Sequence, residues 1–133
     1  MNMKANQNNH VIYIAIADDD KLQRFILNSL IRKDSRFKLL FDATDGQDFV
    51  GKLKLCTILP DVCIIDLKMP TMGGVETTAC IKKYNSAIKV IGYTSSNDLK
   101  EISLMKESGA DVIVEKSSIY SLLDHILETC AAV

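Results

Sequence analysis

The sequence has no run of basic residues, no C-x-x-C pair, and no apolar stretch that approaches the length of a membrane span. Each absence removes a class of function. With 16 Lys and Arg against 17 Asp and Glu and a net charge of −1, the chain lacks the clustered positive charge that nucleic-acid binding requires. A bilayer-crossing helix needs about 20 consecutive apolar residues, so no membrane span is expected. The short apolar run at residues 11–17 ends in a superficial A-x-A, follows a single lysine and precedes three aspartates, which does not make a secretory signal. Cys56, Cys63, Cys80 and Cys130 are irregularly spaced and read as buried, reduced thiols of a cytoplasmic protein. His10 and His125 have no Cys or carboxylate partner at ligand spacing, so neither reads as a metal ligand.

What is present is an ordinary globular composition: 133 residues, 47% hydrophobic and 25% charged, enough for one domain with a sizeable core. Residues 1–10 are rich in Asn and Gln and read as a flexible arm, and residues 11–133 as the domain.

The pattern from residue 11 onward alternates strand with helix. Residues 11–17 form a continuous β-branched run suited to a central parallel strand. Leu22, Phe25, Ile26 and Leu30 recur at helical spacing, and Asp20 with Gln23 can form a capping box at the start of that helix. Residues 37–41 read as a second strand, Asp45-Gly46 as a turn or cap, and residues 47–55 as a second helix. Residues 62–66 are a third strand, ending at Asp66 just before Met69-Pro70 turns the chain. After Gly73-Gly74, the residues Val75, Thr78, Ala79 and Lys82 predict a helix with a small-residue face. Residues 89–93 give a fourth strand. Asn97 or Asp98 caps a helix carrying Leu99, Ile102 and Met105, which stops at Gly109. Residues 112–114 give a fifth strand, and Ile119, Leu122, Leu123, Ile126 and Leu127 the clearest amphipathic helix. Five alternations with short connections and right-handed crossovers predict an α/β fold: a doubly wound parallel five-stranded sheet with helices on both faces, in three layers.

Chemistry collects at the carboxyl ends of these strands, where open α/β sheets keep their sites. Asp18-Asp19 follow the first strand, Asp66 ends the third, Thr94 the fourth, and Lys116 follows the fifth. Singly, each has an ordinary structural explanation, such as acidic residues at the positive end of a helix dipole. Their coincidence on one rim points to a site. Three crowded carboxylates repel unless neutralised, and an all-oxygen set suits a hard divalent cation such as Mg²⁺. Asp18 and Asp19 would hold it, while Asp66 would add one oxygen and keep the other free for attack. A carboxylate is a known covalent phosphoryl acceptor, and phosphoryl transfer needs mainly positioning and charge neutralisation, here from the cation, Lys116 and the Thr94 hydroxyl.

From residue 11 to about 129 the chain resembles the receiver domain of two-component response regulators. The resemblance rests on Ile16-Ala17-Asp18-Asp19-Asp20, on residues 60–70 with Gly74 following, on Val90-Ile91-Gly92-Tyr93-Thr94-Ser95, and on Gly109-Ala110-Asp111 leading to Lys116. It implies a flavodoxin-like sheet in the order 2-1-3-4-5. It further implies Asp66 as phosphoacceptor, Asp18, Asp19, Asp66 and the Lys68 backbone carbonyl as Mg²⁺ ligands, and Thr94, Ser95 and Lys116 as phosphate contacts. Ser117 stands where that family commonly has proline, Ile113 where an output-switching aromatic is usual, and Ser95 where alanine is frequent. Lys68, two residues past the acceptor, is positioned to influence phosphoryl lifetime.

The implied function is a Mg²⁺-dependent switch phosphorylated by a phosphohistidine of a sensor kinase or phosphotransfer protein. It would act on a downstream protein or an attached output domain through the fourth helix, fifth strand and fifth helix. It would not itself bind nucleic acid or membrane. The approach to Lys116 is closest to receivers of helix-turn-helix transcription factors, and a phosphorylation-dependent homodimer is the family-level expectation. The competing readings are a phosphorylation-independent interaction module, on the strength of Ile113, and a haloacid-dehalogenase-like phosphatase, on Asp18-x-Asp20.

Overall fold

The structure is a computed structural model that describes residues 10–117 and 119–131; of the arm read over residues 1–10, all but the exposed His10 lies outside them. The elements are β1 (Ile12–Ala17), α1 (Lys21–Lys33), β2 (Phe37–Ala43), α2 (Gly46–Lys54), β3 (Val62–Asp66), α3 (Gly74–Tyr84), β4 (Lys89–Thr94), α4 (Leu99–Glu107), β5 (Val112–Glu115) and α5 (Ile119–Ala131). All strand pairs are parallel and the sheet order is β2-β1-β3-β4-β5. This is the doubly wound parallel sheet that the alternation predicts, in the flavodoxin-like order that the resemblance implies, with β3, buried at every residue, at its centre.

Strand alternation divides the core in two. Ile14, Ile16, Ile64, Ile91 and Tyr93 face α1 and α5, meeting Leu27, Ile31, Leu122 and Ile126. Ala15, Cys63, Ile65 and Val90 face the other side, with Phe49, Leu53, Ile81 and Met105 from α2, α3 and α4. Burial of these side chains is the main favourable term in the fold, each worth about 1.5–3 kcal/mol against exposure.

Helix α1 is rotated relative to the expected stripe. Leu22 and Phe25 are 65% and 68% exposed, whereas Leu27 and Ile31 are buried. The inward stripe is Arg24, Leu27, Asn28 and Ile31, at i, i+3, i+4 and i+7. Two of its members are polar, and both have partners: the Arg24 Nη1 donates to the Asp18 carbonyl at 2.7 Å, and the Asn28 side-chain amide donates to Asp42 at 2.8 Å. Apolar periodicity alone therefore marks the wrong face. Asp20 does cap this helix, accepting the N–H groups of Leu22 and Gln23, but the reciprocal half of the capping box does not form, because the Asp20 N–H donates to Asp18 Oδ1 at 2.9 Å.

Other departures are smaller. Strand β2 continues two residues beyond the reading, through Asp42, whose carboxylate is held by Asn28 and faces Arg24. Helix α3 buries Thr77, Thr78 and Ile81, with Val75 packed against the same core, and leaves Ala79 exposed, so the packed face shares Val75 and Thr78 with the expected one but not Ala79. Asp98, not Asn97, caps α4. All four cysteines are free, but only Cys63 is buried; the other three are half-buried.

The loop from β3 to α3 carries the tightest backbone approach near the site. Gly74 N–H donates to the Leu67 carbonyl at 2.9 Å, and a Cβ on Gly74 would lie 2.5 Å from the Asp66 carbonyl oxygen and 2.8 Å from the Leu67 Cα. Only a residue without a side chain lets α3 begin this close to the end of β3. Gly74→Ala is expected to destabilise the protein by about 1–3 kcal/mol through overpacking against backbone. Urea unfolding measures this, and an unchanged midpoint would mean that α3 can retreat without strain.

Candidate functional site

Parallel register carries the side chains to one rim. Asp66 pairs with Tyr93 and Tyr93 with Val114, so these residues share the sheet face covered by α1 and α5. Asp18 continues the same face two residues after Ile16. Across the rim opens a cleft of about 700 Å³ whose lining includes Asp19, Asp66, Lys68, Thr94, Ser95 and Lys116.

Asp18, 1% exposed, is held from every side. Its N–H donates to the Ala43 carbonyl at 3.1 Å, its carbonyl accepts from Arg24, and its Oδ1 accepts the Asp20 N–H. Its Oδ2 lies 3.1 Å from Lys116 Nζ as an ion pair, yet this buried oxygen has no aligned hydrogen bond among the described residues. Asp66, 6% exposed, lies 3.1 Å from the same ammonium through its Oδ2. One carboxylate oxygen from each of Asp18, Asp19 and Asp66 falls within 4.8 Å of the others. Asp19 is exposed and faces the opening. An all-carboxylate group with an unbonded buried oxygen is the donor set a hard divalent cation takes.

The electrostatics follow from two buried carboxylates sharing one ammonium. Burial first, then the charge of Asp18, push the Asp66 carboxyl up to about 6, with Lys116 opposing. Burial would lower the Lys116 ammonium, but Asp66 and Asp18 outweigh it and hold it above its ordinary value. The lysine thus stays charged, whereas the carboxylate form of Asp66 is held at a cost.

Thr94 is buried; its Oγ1 accepts the Ser96 N–H at 2.9 Å and its carbonyl accepts the Lys116 N–H at 2.9 Å, tying the ends of β4 and β5 together. Ser95 is exposed at the cleft. Lys68 extends from the loop after Asp66 and lies 3.5 Å from Glu101 in the first turn of α4. Ile113 is not brought to the cleft: it packs with the core cluster of the opposite face, beside Gly92. Asp20 borders the cleft, but its carboxylate is occupied in capping α1. Arg24, which anchors the acidic loop, and Tyr93, whose ring lies under Lys116, were not singled out from sequence. The available signals were a cation one turn into the helix after the aspartates and an aromatic residue in register with Asp66. His10 is exposed and His125 half-buried on α5, and neither lines the cleft.

The raised Asp66 carboxyl has a stability consequence in metal-free protein. Its folded value, about 6, lies above the ordinary 3.8, so its penalty is absent below pH 4 and grows as the pH rises through 6. Asp66→Asn is expected to stabilise the chelator-treated protein by about 2–3 kcal/mol at pH 8 and by little at pH 4. Urea unfolding of both proteins at the two pH values checks this; an equal difference at both would remove the burial argument.

The model of the response regulator receiver domain family matches residues 14–128. A protein-glutamate methylesterase/protein-glutamine glutaminase of Halalkalibacterium halodurans is 30% identical over 113 residues, covering 84% of this chain and 32% of its own length. The response regulator protein VraR of Staphylococcus aureus is 29% identical over 119 residues, covering 89% of this chain and 56% of its own. The chain thus spans about a third to just over half the length of these relatives. The crystal structure of a DNA-binding response regulator of the LuxR family from S. aureus superposes with a TM-score of 0.83 at 29% identity, covering 90% of this chain and 99% of that one. A match running from the first core strand into the last helix, on a sheet of the same order, leaves one conclusion: the chain belongs to the response regulator receiver domain family.

Proposed function

We propose that this domain, residues 11–133, is the phosphoryl-accepting switch of a two-component system and that Asp66 is the acceptor. The observation that carries this reading is the setting of Asp66: a carboxylate at the end of the central strand, beside Asp18 and 3.1 Å from the Lys116 ammonium, and open to a cleft. The Asp66 carboxylate attacks the phosphorus of a phosphohistidine, the P–N bond breaks, and an acyl phosphate forms that water later cleaves. Lys116 neutralises one phosphoryl oxygen, and the Thr94 hydroxyl and Ser95 donate to others. Asp18, Asp19, Asp66 and the Lys68 carbonyl would hold Mg²⁺, which supplies charge neutralisation at the phosphoryl group. The unbonded Oδ2 of Asp18 supports that fit.

The donor is a phosphohistidine of a sensor kinase or phosphotransfer protein, and the exposed Leu22, Phe25 and Ile26 of α1, next to the acidic loop, offer it an apolar surface. Output passes through α4, β5 and α5, where Leu99, Leu104 and Tyr120 are exposed. It reaches a downstream protein, an attached output domain or a second copy of the chain. The LuxR-family neighbour, a DNA-binding response regulator, supports a receiver that serves a DNA-binding regulator. The chain modifies itself rather than turning over a substrate. It works in the cytoplasm, in keeping with the absence among the described residues of any helix long and apolar enough to cross a membrane. A phosphorylation-independent module is the second reading, favoured by one observation: Ile113 packs away from the cleft and has no ring to couple site to output face. Against the phosphatase reading, the second aspartate of its Asp18-x-Asp20 pattern is taken up in capping α1.

Incubation with Mg²⁺ and phosphoramidate is expected to add one labile phosphoryl group, read by intact mass, and Asp66→Asn or chelation to abolish it. A gain that persists in Asp66→Asn would move the acceptor elsewhere. Lys68, which lines the cleft beside Asp66 with its ammonium 3.5 Å from Glu101, screens the acyl phosphate from water. Lys68→Ala is expected to shorten its lifetime by about 1.5–5-fold, the worth of an exposed ionic contact. Unchanged dephosphorylation would dispose of that role.

A further inference from the structure

We propose that Tyr93 is a positioning residue for phosphoryl transfer, its ring forming the floor that keeps the Lys116 ammonium at Asp66. The proposal rests on the acceptor reading above and concerns a residue to which neither the family resemblance nor the acceptor chemistry gives a role.

Four observations meet at this side chain. Tyr93 stands next to Asp66 in the sheet, in register, on the same face as the acidic cluster. It is 1% exposed and belongs to the core cluster beneath the rim. The Lys116 Nζ lies 5.7 Å from its ring centroid, within the range where a cation is attracted to an aromatic face. Its hydroxyl is buried without a hydrogen-bond partner among the described residues. The ring is thus held by packing alone, and what it presents to the rim is its aromatic surface.

Lys116 needs such a surface. Its backbone is fixed by the Thr94 carbonyl, but its side chain has four rotatable bonds and loses much freedom when held. The next residue is the exposed Ser117, whose hydroxyl donates to the carboxylate of Glu115, two residues back, at 3.3 Å and not to the Lys116 side chain. The two ion-pair partners of Lys116 are the very carboxylates that would engage a cation and the phosphoryl group. As they do so, their hold on the ammonium weakens, while the attraction of the ring for a cation does not depend on them. Tyr93 therefore keeps the lysine in place while Asp66 changes from carboxylate to acyl phosphate.

The test compares wild type with Tyr93→Phe, Tyr93→Leu and Tyr93→Met, the last filling much of the ring's volume without an aromatic face. Three quantities are read: the initial rate of phosphoryl gain from phosphoramidate with Mg²⁺, the NMR order parameter of the Lys116 Cε in metal-free protein, and Tm. Tyr93→Phe is expected to keep the rate within about 2-fold and the order parameter unchanged. It should also raise Tm by about 2–8 °C by removing an unpartnered hydroxyl. Tyr93→Leu and Tyr93→Met are expected to slow phosphoryl gain by about 3–30-fold and to lower the Lys116 order parameter, at temperatures where both are folded by circular dichroism. Wild-type rate and lysine order in the Leu or Met variant would overturn the proposal, as would a Phe variant as slow as Met, which would assign the effect to the hydroxyl. If wild type takes up no phosphoryl group, the acceptor reading fails, and the Lys116 order parameter still decides whether the ring holds the lysine.

Discussion

The Lys116 ammonium lies 3.1 Å from a carboxylate oxygen of Asp18 and 3.1 Å from one of Asp66, so that charges carried on the ends of β1, β3 and β5 meet at one point. Two buried carboxylates this close repel, and removing them from water costs more than one cation returns. The arrangement persists because the backbone is fixed independently of the charges. The Asp18 N–H and carbonyl are tied to Ala43 and Arg24, Lys116 N–H to Thr94, and α3 starts directly against the Asp66 carbonyl. A rigid frame thus imposes an electrostatically unfavourable cluster. The raised Asp66 carboxyl and the unbonded Asp18 Oδ2 record that imposition, and both are relieved by added positive charge.

The same frame explains why α1 turns its apolar residues outward. Arg24 and Asn28 must face the sheet to reach Asp18 and Asp42, and a helix turning 100° per residue then leaves Leu22, Phe25 and Ile26 toward solvent. Anchoring the acidic loop and presenting an apolar surface beside it are two consequences of one helix rotation. On the opposite side, the loop after Thr94 leads through side-chain caps at Ser96 and Asp98 into α4. The Thr94 hydroxyl and the start of α4 therefore share one short run of hydrogen bonds.

Much of this was legible in the chain alone. Apolar runs of β-branched residues, turn residues between them and acidic N-caps define the alternation, because local chemistry decides where strands end and helices begin. With right-handed crossovers the alternation dictates a parallel sheet, and in a parallel sheet every strand's carboxyl end emerges on one rim. The sequence alone thus assigns Asp18, Asp66, Thr94 and Lys116 to a common edge. Only the tertiary structure decided what depends on side chains from distant segments meeting: the rotation of α1, set by Asp18 and Asp42; the retreat of Ile113 into the opposite core; and the ring of Tyr93 beneath Lys116. Periodicity reports which residues are apolar, whereas an inward-facing arginine, a phenol with no partner among the described residues or a carboxyl pushed up to about 6 arises from the fields and hydrogen bonds of neighbours outside the local repeat.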